Sequence, residues 1–285
     1  MQQNKKTASP DPTAIRTALW RAMHAEVDDK PHIIEDQTGL ALAAPDSNWR
    51  QRPDMHPEFT KRLRASVVAR ARYIEDLIIE QNKLGIGQYV ALGAGLDTFA
   101  QRRADICSNL QVYEIDQPGM QHWKQQRLNE LGLGIPAWLH FVSVDFETSS
   151  WWEPLSRSGF DQNKAAIISS TGVTLYLTKK AIASTLHQVA GLAPGSMLVM
   201  SFYLPLYLLD EVDKPLQQIA EKGAHQAGTP MISFFKPPEI LALAEKAGLK
   251  QASIITTRDI ERLYFSGRTD NLLPASGEVF LLAST

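Results

Sequence analysis

The chain has 285 residues, which is enough for one large domain or two small ones. Its composition, 44% apolar and 21% charged, is typical of a globular protein with a sizeable core. The 29 Lys and Arg residues nearly balance the 31 Asp and Glu residues, giving a net charge of −2. Because such a chain has no general positive field, nucleic acid is not expected as its main partner.

Cysteine and histidine usage limits the possible sites further. The single cysteine, Cys107, excludes an internal disulfide framework and a cysteine-based zinc site, and it favours a reducing, cytoplasmic location. The seven histidines are at least eight residues apart, so the chain has no HxxxH or HExxH pair. We therefore expect no metal site.

The first 60 residues divide into two parts. Residues 1–12, MQQNKKTASPDP, are polar and contain two prolines, which predicts a disordered tail without a signal peptide. Residues 13–60 combine a helix over 14–27 with connections rich in Pro, Gly and Asp, which predicts an N-terminal helical cap. The most apolar later stretch, 203–209, is too short to span a membrane, so no membrane partner is expected.

A helix is predicted over 60–81, with Thr60 as its N-cap. Its apolar residues recur at helical spacing and define one buried stripe, on which Arg70 also falls. A charge on a buried face needs a partner, and either a structural carboxylate or an anionic ligand would serve. The remaining basic residues of the helix are expected on a solvated face: Lys61, Arg62, Arg64 and Arg72.

From residue 88 onwards, apolar strands alternate with helices of 10–15 residues, which predicts a parallel sheet flanked by helices. Residues 204–235 interrupt this alternation with a polar helix over 210–226, and we interpret them as a lid inserted over the ligand edge of the sheet. The segments QASIITTRD and EVFLLAS are expected to form an antiparallel edge. Residues 13–285 are thus predicted to form a single domain.

Four distinctive features fall at the predicted strand ends, where ligands bind in doubly wound sheets. They are the Gly93-Ala94-Gly95 turn, the acidic pair Glu114 and Asp116, Asp145, and the Ser170-Thr171-Gly172 turn. Glycines allow a ligand to approach the backbone closely. An acidic residue at the end of the second strand suits a ribose, because both ribose hydroxyls need an acceptor.

These features are shared by dinucleotide sites and S-adenosylmethionine (SAM) sites. The pyrophosphate fingerprint GxGxxG would require glycine at position 98, where this chain has Thr98. Three carboxylates near the loop, those of Asp97, Glu114 and Asp116, suit a cationic sulfonium better than a pyrophosphate. SAM is therefore the predicted cofactor. A nicotinamide-dependent oxidoreductase and a SAM-binding protein without turnover are the alternatives.

The motifs LGAGLDT, YEIDQP, VSVDFE and GVTLYLT, with ARARYIEDLI upstream, resemble the leucine carboxyl methyltransferase family in its bacterial, polyketide-type branch. The resemblance runs from about Arg16 to the C-terminus. It implies a class I SAM-dependent methyltransferase fold, with a Rossmann-like seven-stranded sheet and a helical lid. It also implies an O-methyltransferase that acts on a carboxyl or hydroxyl group of a small molecule such as a secondary metabolite.

The resemblance also implies roles for single residues. The position of Arg70 matches the arginine that holds the SAM carboxylate, and Asp116 matches the ribose acid. The other matching positions are Gly93 and Gly95 in the loop, and Asp145 and Phe146 at the adenine. Thr171 departs from the pattern, because relatives commonly have glutamate there.

The acceptor decides whether a general base is needed. A carboxylate is already anionic at neutral pH, whereas a phenol or alcohol requires a base within hydrogen-bond reach. The candidates at the predicted mouth are Tyr176, Tyr203 and His225, although the tyrosines also fit pocket walls and the histidine a solvated lid. Monomer and homodimer are both compatible with the sequence.

Overall fold

The computed structural model describes residues 11–285, in which seven strands form one sheet. The strands are β1 (Gln88–Leu92), β2 (Gln111–Asp116), β3 (Leu139–Ser143), β4 (Ile167–Ser170), β5 (Met197–Tyr203), β6 (Gln251–Ile255) and β7 (Glu278–Ser284). Their order is β3-β2-β1-β4-β5-β7-β6. β1 to β5 are parallel, and β7 runs antiparallel between β5 and β6. The predicted parallel sheet with an antiparallel edge is confirmed.

Helices cover both faces of the sheet. They are α1 (Pro12–Val27), α2 (Gln37–Ala43), α3 (Lys61–Lys83), α4 (Phe99–Arg102), α5 (Ala104–Cys107), α6 (Pro118–Glu130), α7 (Trp152–Ser156), α8 (Lys179–Ala190), α9 (Lys214–Gln226), α10 (Pro237–Ala247) and α11 (Thr257–Tyr264). Successive β1 residues point to opposite faces, so Tyr89 packs in the core beneath α1 and α3 while Val90 packs in the core beneath α8 and α10. Within residues 11–285, every helix is too short or too polar to cross a membrane.

The structure differs from the predicted elements in three places. The chain between β1 and β2 forms two helices of four residues each instead of one helix of 10–15 residues, and α11 has no counterpart in the prediction. The predicted tail is wrong at residues 11 and 12, where Asp11 caps α1 by accepting a 2.7 Å hydrogen bond from the Thr13 amide. Proline suits the first helical position because its missing N–H would be unpaired there anyway. Residues 1–10 of that prediction lie outside the described residues.

Arg64 is buried, contrary to the expectation of a solvated basic face. Its side chain is 1% exposed and makes two hydrogen bonds to the Asp28 carboxylate, at 2.6 and 2.7 Å. Thr60 precedes α3 as predicted but caps no amide, because its hydroxyl donates to the His56 carbonyl and accepts from Arg64. Arg72 is exposed, as expected.

Two segments lie over the carboxyl edge of the sheet. They are the N-terminal segment (residues 13–60) and the inserted segment (residues 204–235). The inserted helix α9 begins after Asp213, whose carboxylate accepts from Arg62 of α3 at 2.5 Å and from the Ser276 amide at 2.8 Å. Arg62 is thus partly buried and fixes the start of α9. The expectation that Arg62 lies on a solvated face is therefore wrong, as it is for Arg64.

We predict that Arg64→Ala lowers the free energy of unfolding by about 3 kcal/mol or more, because it leaves the buried Asp28 carboxylate with His24 as its remaining partner and without the guanidinium charge. Arg72→Ala on the same helix is the matched control and should change stability by less than about 1 kcal/mol. Urea unfolding of both variants measures the difference. Equal effects of the two substitutions would contradict this account of Arg64.

Candidate functional site

A cavity of about 710 Å³ opens at the carboxyl ends of β1, β2 and β4, between α1, α3 and α9. Its volume is in the usual range of small-molecule sites, about 300–1,000 Å³. The structure brings most of the predicted site residues to its lining: Arg70, Gly93, Ala94, Gly95, Asp97, Asp116, Phe146, Thr171, Tyr176 and Tyr203. A cavity large enough for a small-molecule ligand therefore lies at the strand ends where the sequence predicts a site.

Three predicted residues lie outside this lining. Glu114 is buried below the loop and bonds to Lys124, so its predicted contact with a ligand is corrected to a structural role. Asp145 is exposed and accepts from the Glu147 amide at 3.0 Å, which shapes the turn after β3. His225 is exposed near the end of α9, as a solvated residue would be.

The glycine loop after β1 fits closely between its neighbours. Gly93 has a φ of +73°, and a Cβ added there would lie 2.2 Å from Cγ2 of Val173. Gly95 has a φ of +50°, and its added Cβ would lie 3.4 Å from Cβ of Ala14. The amide of Gly93 donates to the Ile115 carbonyl at 2.8 Å. Glycine is required at Gly93 both by the backbone conformation and by the space available.

Asp116 ends β2 and holds the loop from the side. Its carboxylate accepts hydrogen bonds from the Gly95 amide at 2.6 Å and from the Gln117 amide at 2.7 Å. Burial raises the pKa of Asp116, although both amides favour the charged form. A carboxylate has about four acceptor sites, so two amides leave capacity for a ligand on the cavity side.

Lys124 holds the end of the glycine loop through the Asp97 carbonyl. The sequence analysis did not predict this role. This buried α6 side chain donates to Glu114 at 2.6 Å and to the Asp97 carbonyl at 2.5 Å. Burial raises the pKa of Glu114 to about 7 against the opposing charge of Lys124. The available signal was Glu114 itself, since a charge within an apolar strand needs a cation nearby.

Arg70 has a structural partner and also faces the cavity. Its Nη1 donates to Oε1 of Glu278 at 2.8 Å, at the start of β7. Its guanidinium lies against the end of β4, since a Cβ added at Gly172 would be 3.0 Å from Nη1. The other guanidinium nitrogens of Arg70 make no hydrogen bond to residues 11–285. The side chain is largely buried and lines the cavity. The sequence analysis allowed a structural carboxylate or an anionic ligand as the partner of Arg70. The structure identifies the carboxylate as Glu278, and the other guanidinium donors can still bind a ligand.

The two tyrosines at the cavity hold their protons firmly. Burial raises the pKa of Tyr203, with the Glu278 carboxylate adding to the effect. Burial also raises the pKa of Tyr176. Neither phenol is therefore ionised near neutral pH. Among the described residues, no cluster of three or more His, Cys, Asp or Glu side chains is arranged to hold a metal ion.

Asp36 connects the N-terminal segment to the glycine loop after β1. The sequence analysis did not predict this role. Its fully buried carboxylate accepts from Arg21 Nε at 2.6 Å and from the Thr98 hydroxyl at 2.8 Å. Arg21 in turn donates to the Leu96 carbonyl at 2.6 Å. Thr98 stands where the GxGxxG fingerprint has its third glycine, and its hydroxyl bonds to Asp36 there.

The strand order and the glycine loop facing an acidic β2 end define a class I methyltransferase fold. The crystal structure of "a putative methyltransferase" from Thermobifida fusca YX shares this fold. It superposes with a TM-score of 0.63 over 98% of this chain and 96% of that chain, at 18% sequence identity.

The model of the leucine carboxyl methyltransferase family matches residues 14–190, and the chain belongs to this family. One relative is the Bacillus subtilis "Putative S-adenosyl-L-methionine-dependent methyltransferase YktD", 36% identical over 206 residues, or 72% of this chain and 67% of that protein. A Mycobacterium tuberculosis protein with the same description is 29% identical over 67% of this chain. The match spans 65% of that relative, just under two thirds. The predicted family and fold are confirmed.

We predict that Gly93→Ala lowers the free energy of unfolding by about 2 kcal/mol or more, through a strained φ and a clash with Val173. Gly119→Ala is the control, because Gly119 lines the same cavity but has no positive φ and no atom within 4 Å of an added Cβ. Thermal and urea unfolding measure both variants. A Gly93 variant as stable as the Gly119 variant would contradict the close fit of the loop.

Proposed function

We propose that this chain is a SAM-dependent O-methyltransferase that methylates a carboxyl or hydroxyl group of a small molecule. The observation that carries the proposal is the placement of Arg70 and Asp116 on one cavity at the carboxyl edge of the sheet. SAM has a methionine carboxylate that needs a cation and ribose hydroxyls that need acceptors. When bound, it supplies an electrophilic methyl group on a sulfonium.

The chain's residues fit this cofactor. The donors of Arg70 that bond to none of residues 11–285 suit the methionine carboxylate, and the remaining acceptor sites of Asp116 suit the ribose. Gly93 and Gly95 keep the loop free of side chains that would fill the cradle. Phe146 lines the cavity after β3, where an apolar ring suits adenine. Thr171 adds a neutral hydroxyl to the lining after β4.

The cavity is largely apolar where α9 covers it. α9 contributes Leu216, Ile219, Ala220 and Gly223 to the lining at i, i+3, i+4 and i+7, beside the polar Gln217. Trp20 and Phe59 of the N-terminal segment line the same cavity. We propose that the N-terminal segment is a cap and the inserted segment a lid of one catalytic domain, together excluding water from an apolar acceptor.

The lining favours a carboxylate over a hydroxyl as the acceptor group. Among the described residues, no His, Lys, Cys or Glu side chain lines the cavity, and its tyrosines keep their protons. Its four aspartates, Asp11, Asp54, Asp97 and Asp116, already accept hydrogen bonds from other groups of the chain. A hydroxyl acceptor would thus lack an evident base. A carboxylate has a pKa of about 4 and is already a nucleophile at neutral pH. Aligning it and excluding water are then the main tasks of the protein.

We predict that Asp116→Ala weakens binding of S-adenosylhomocysteine (SAH) about ten- to hundredfold, because the ribose and the loop lose one acceptor. Asp105→Ala is the control, since Asp105 is exposed and lies outside the cavity lining. Isothermal titration calorimetry measures both. Unchanged SAH affinity in the Asp116 variant would show that the cofactor site is elsewhere.

Two outcomes with the wild-type chain separate the alternatives. Binding of NADH, followed by fluorescence, without binding of SAH would favour an oxidoreductase. Binding of SAM without transfer of labelled methyl to any component of a metabolite extract would favour a SAM-binding protein without turnover.

We predict that the rate of methyl transfer at saturating substrates is nearly constant between about pH 6 and pH 9, because a carboxylate acceptor stays ionised over this range. The rate of SAH formation with an acceptor from a metabolite extract measures this. A rate that rises about tenfold per pH unit would instead indicate an acceptor or base that must lose a proton.

A further inference from the structure

A side cavity of about 50 Å³ lies next to the main cavity, between α1, α3, α9 and the start of β7. A buried water molecule needs about 10–15 Å³, so the side cavity has room for a few waters or for one small substituent of a ligand. A ligand in the main cavity lies directly beside it, because the two cavities share six lining residues: Trp20, Leu63, Val67, Tyr203, Leu216 and Gln217.

Glu278 brings a buried acceptor to the side cavity. Its Oε1 accepts from Arg70 Nη1 at 2.8 Å, whereas its Oε2 accepts no hydrogen bond of normal geometry from residues 11–285. The side chain is 5% exposed, and it lines the side cavity but not the main one. Buried polar groups are normally hydrogen-bonded, so a donor is expected in the side cavity beside this oxygen.

Gln217 of α9 presents a second acceptor. Its Nε2 donates to Oε1 of Glu221 at 3.0 Å. Because an ionised carboxylate only accepts, this bond fixes the amide with its nitrogen towards Glu221. The Gln217 oxygen accepts no hydrogen bond from residues 11–285, and a Cβ added at Gly277, in the wall of the side cavity, would lie 3.8 Å from it. Gln217 is buried, so its oxygen also needs a donor.

The two carboxylates that line the side cavity already have cationic partners. Glu278 pairs with Arg70 at 2.8 Å, and Asp213 pairs with Arg62 at 2.5 Å. An ammonium group in the side cavity would therefore be a further buried charge without a counter-charge of its own. Tyr203 keeps its proton, because burial and the neighbouring Glu278 carboxylate both raise its pKa. These walls suit an uncharged hydroxyl, which both donates and accepts.

We propose that the side cavity is a subsite for an uncharged hydroxyl group of the methyl acceptor, and that this hydroxyl is bound and not methylated. The inference rests on the proposed function, which places the cofactor and the acceptor in the main cavity. The hydroxyl donates to Glu278 or Gln217, while an apolar ring that carries it lies against Trp20 and Leu63 of the shared wall. The chain then distinguishes a hydroxylated acceptor from the same molecule without the hydroxyl, because the latter leaves both buried acceptors without a donor.

The test uses the full chain loaded with SAH and two fluorescent probes of similar shape, 2-naphthol and 2-methylnaphthalene. Both are uncharged at pH 7, since a phenolic hydroxyl has a pKa of about 10. Fluorescence titration should show that the loaded wild type binds 2-naphthol at least about tenfold more tightly than 2-methylnaphthalene, because only the hydroxyl can satisfy the buried acceptors.

Two substitutions on α9 make the same chemical change at neighbouring positions. Gln217→Met removes the acceptor and should reduce the preference for 2-naphthol at least about fivefold, whereas SAH affinity should change less than about twofold. Gln218→Met is the matched control and should retain the preference, because Gln218 is exposed and lines neither cavity. Tyr203→Phe is a second variant, which should also reduce the preference because it removes the phenol beside Glu278.

Several results would overturn the inference. A loaded wild type without preference for 2-naphthol, including the case in which neither probe binds, would leave the side cavity to structural water only. A preference that is unchanged in Gln217→Met or in Tyr203→Phe would place the hydroxyl elsewhere. Formation of 2-methoxynaphthalene when SAM replaces SAH, detected by mass spectrometry, would show that the hydroxyl is itself methylated. Failure of the wild type to bind SAH is seen in the first titration, before any probe is added, and it would reject the proposed function itself.

Discussion

The buried carboxylate of Asp36 is the contact on which the cavity depends. It accepts hydrogen bonds from Arg21 of α1, from the Gly39 amide of α2 and from Thr98 at the end of the glycine loop. Burial opposes its charge, but Arg21 and Thr98 outweigh this and lower the pKa of Asp36, so the carboxylate stays ionised. This side chain thus links the N-terminal segment, and with it the α1 wall of the cavity, to the glycine loop at the strand ends.

The remaining charges of the cavity are held in place by the fold before any ligand binds. Lys124 fixes the loop from below, and Glu278 fixes one side of Arg70. Such groups suit the binding and orientation of charged ligands, because little reorganisation is needed when the ligand arrives. The two tyrosines hold their protons, so the site is better suited to alignment than to proton transfer.

Local patterns in the sequence predicted the strand ends, but not the partners of buried charges. Gly93 and Asp116 were found because each follows an apolar strand, and Arg70 because it lies on an apolar helical stripe. Its partner Glu278 is 208 residues away, and no periodicity links two such positions. The burial of Arg64 was detectable, since it precedes the buried Val67 and Val68 by three and four residues. Asp36 lies in an irregular segment without any pattern.

A crystal structure of the chain grown with SAH tests the central claim most directly. The account predicts that the methionine carboxylate of SAH contacts the guanidinium of Arg70 and that the ribose hydroxyls contact Asp116. SAH bound away from these two residues, or a cavity that stays empty at saturating SAH, would contradict it.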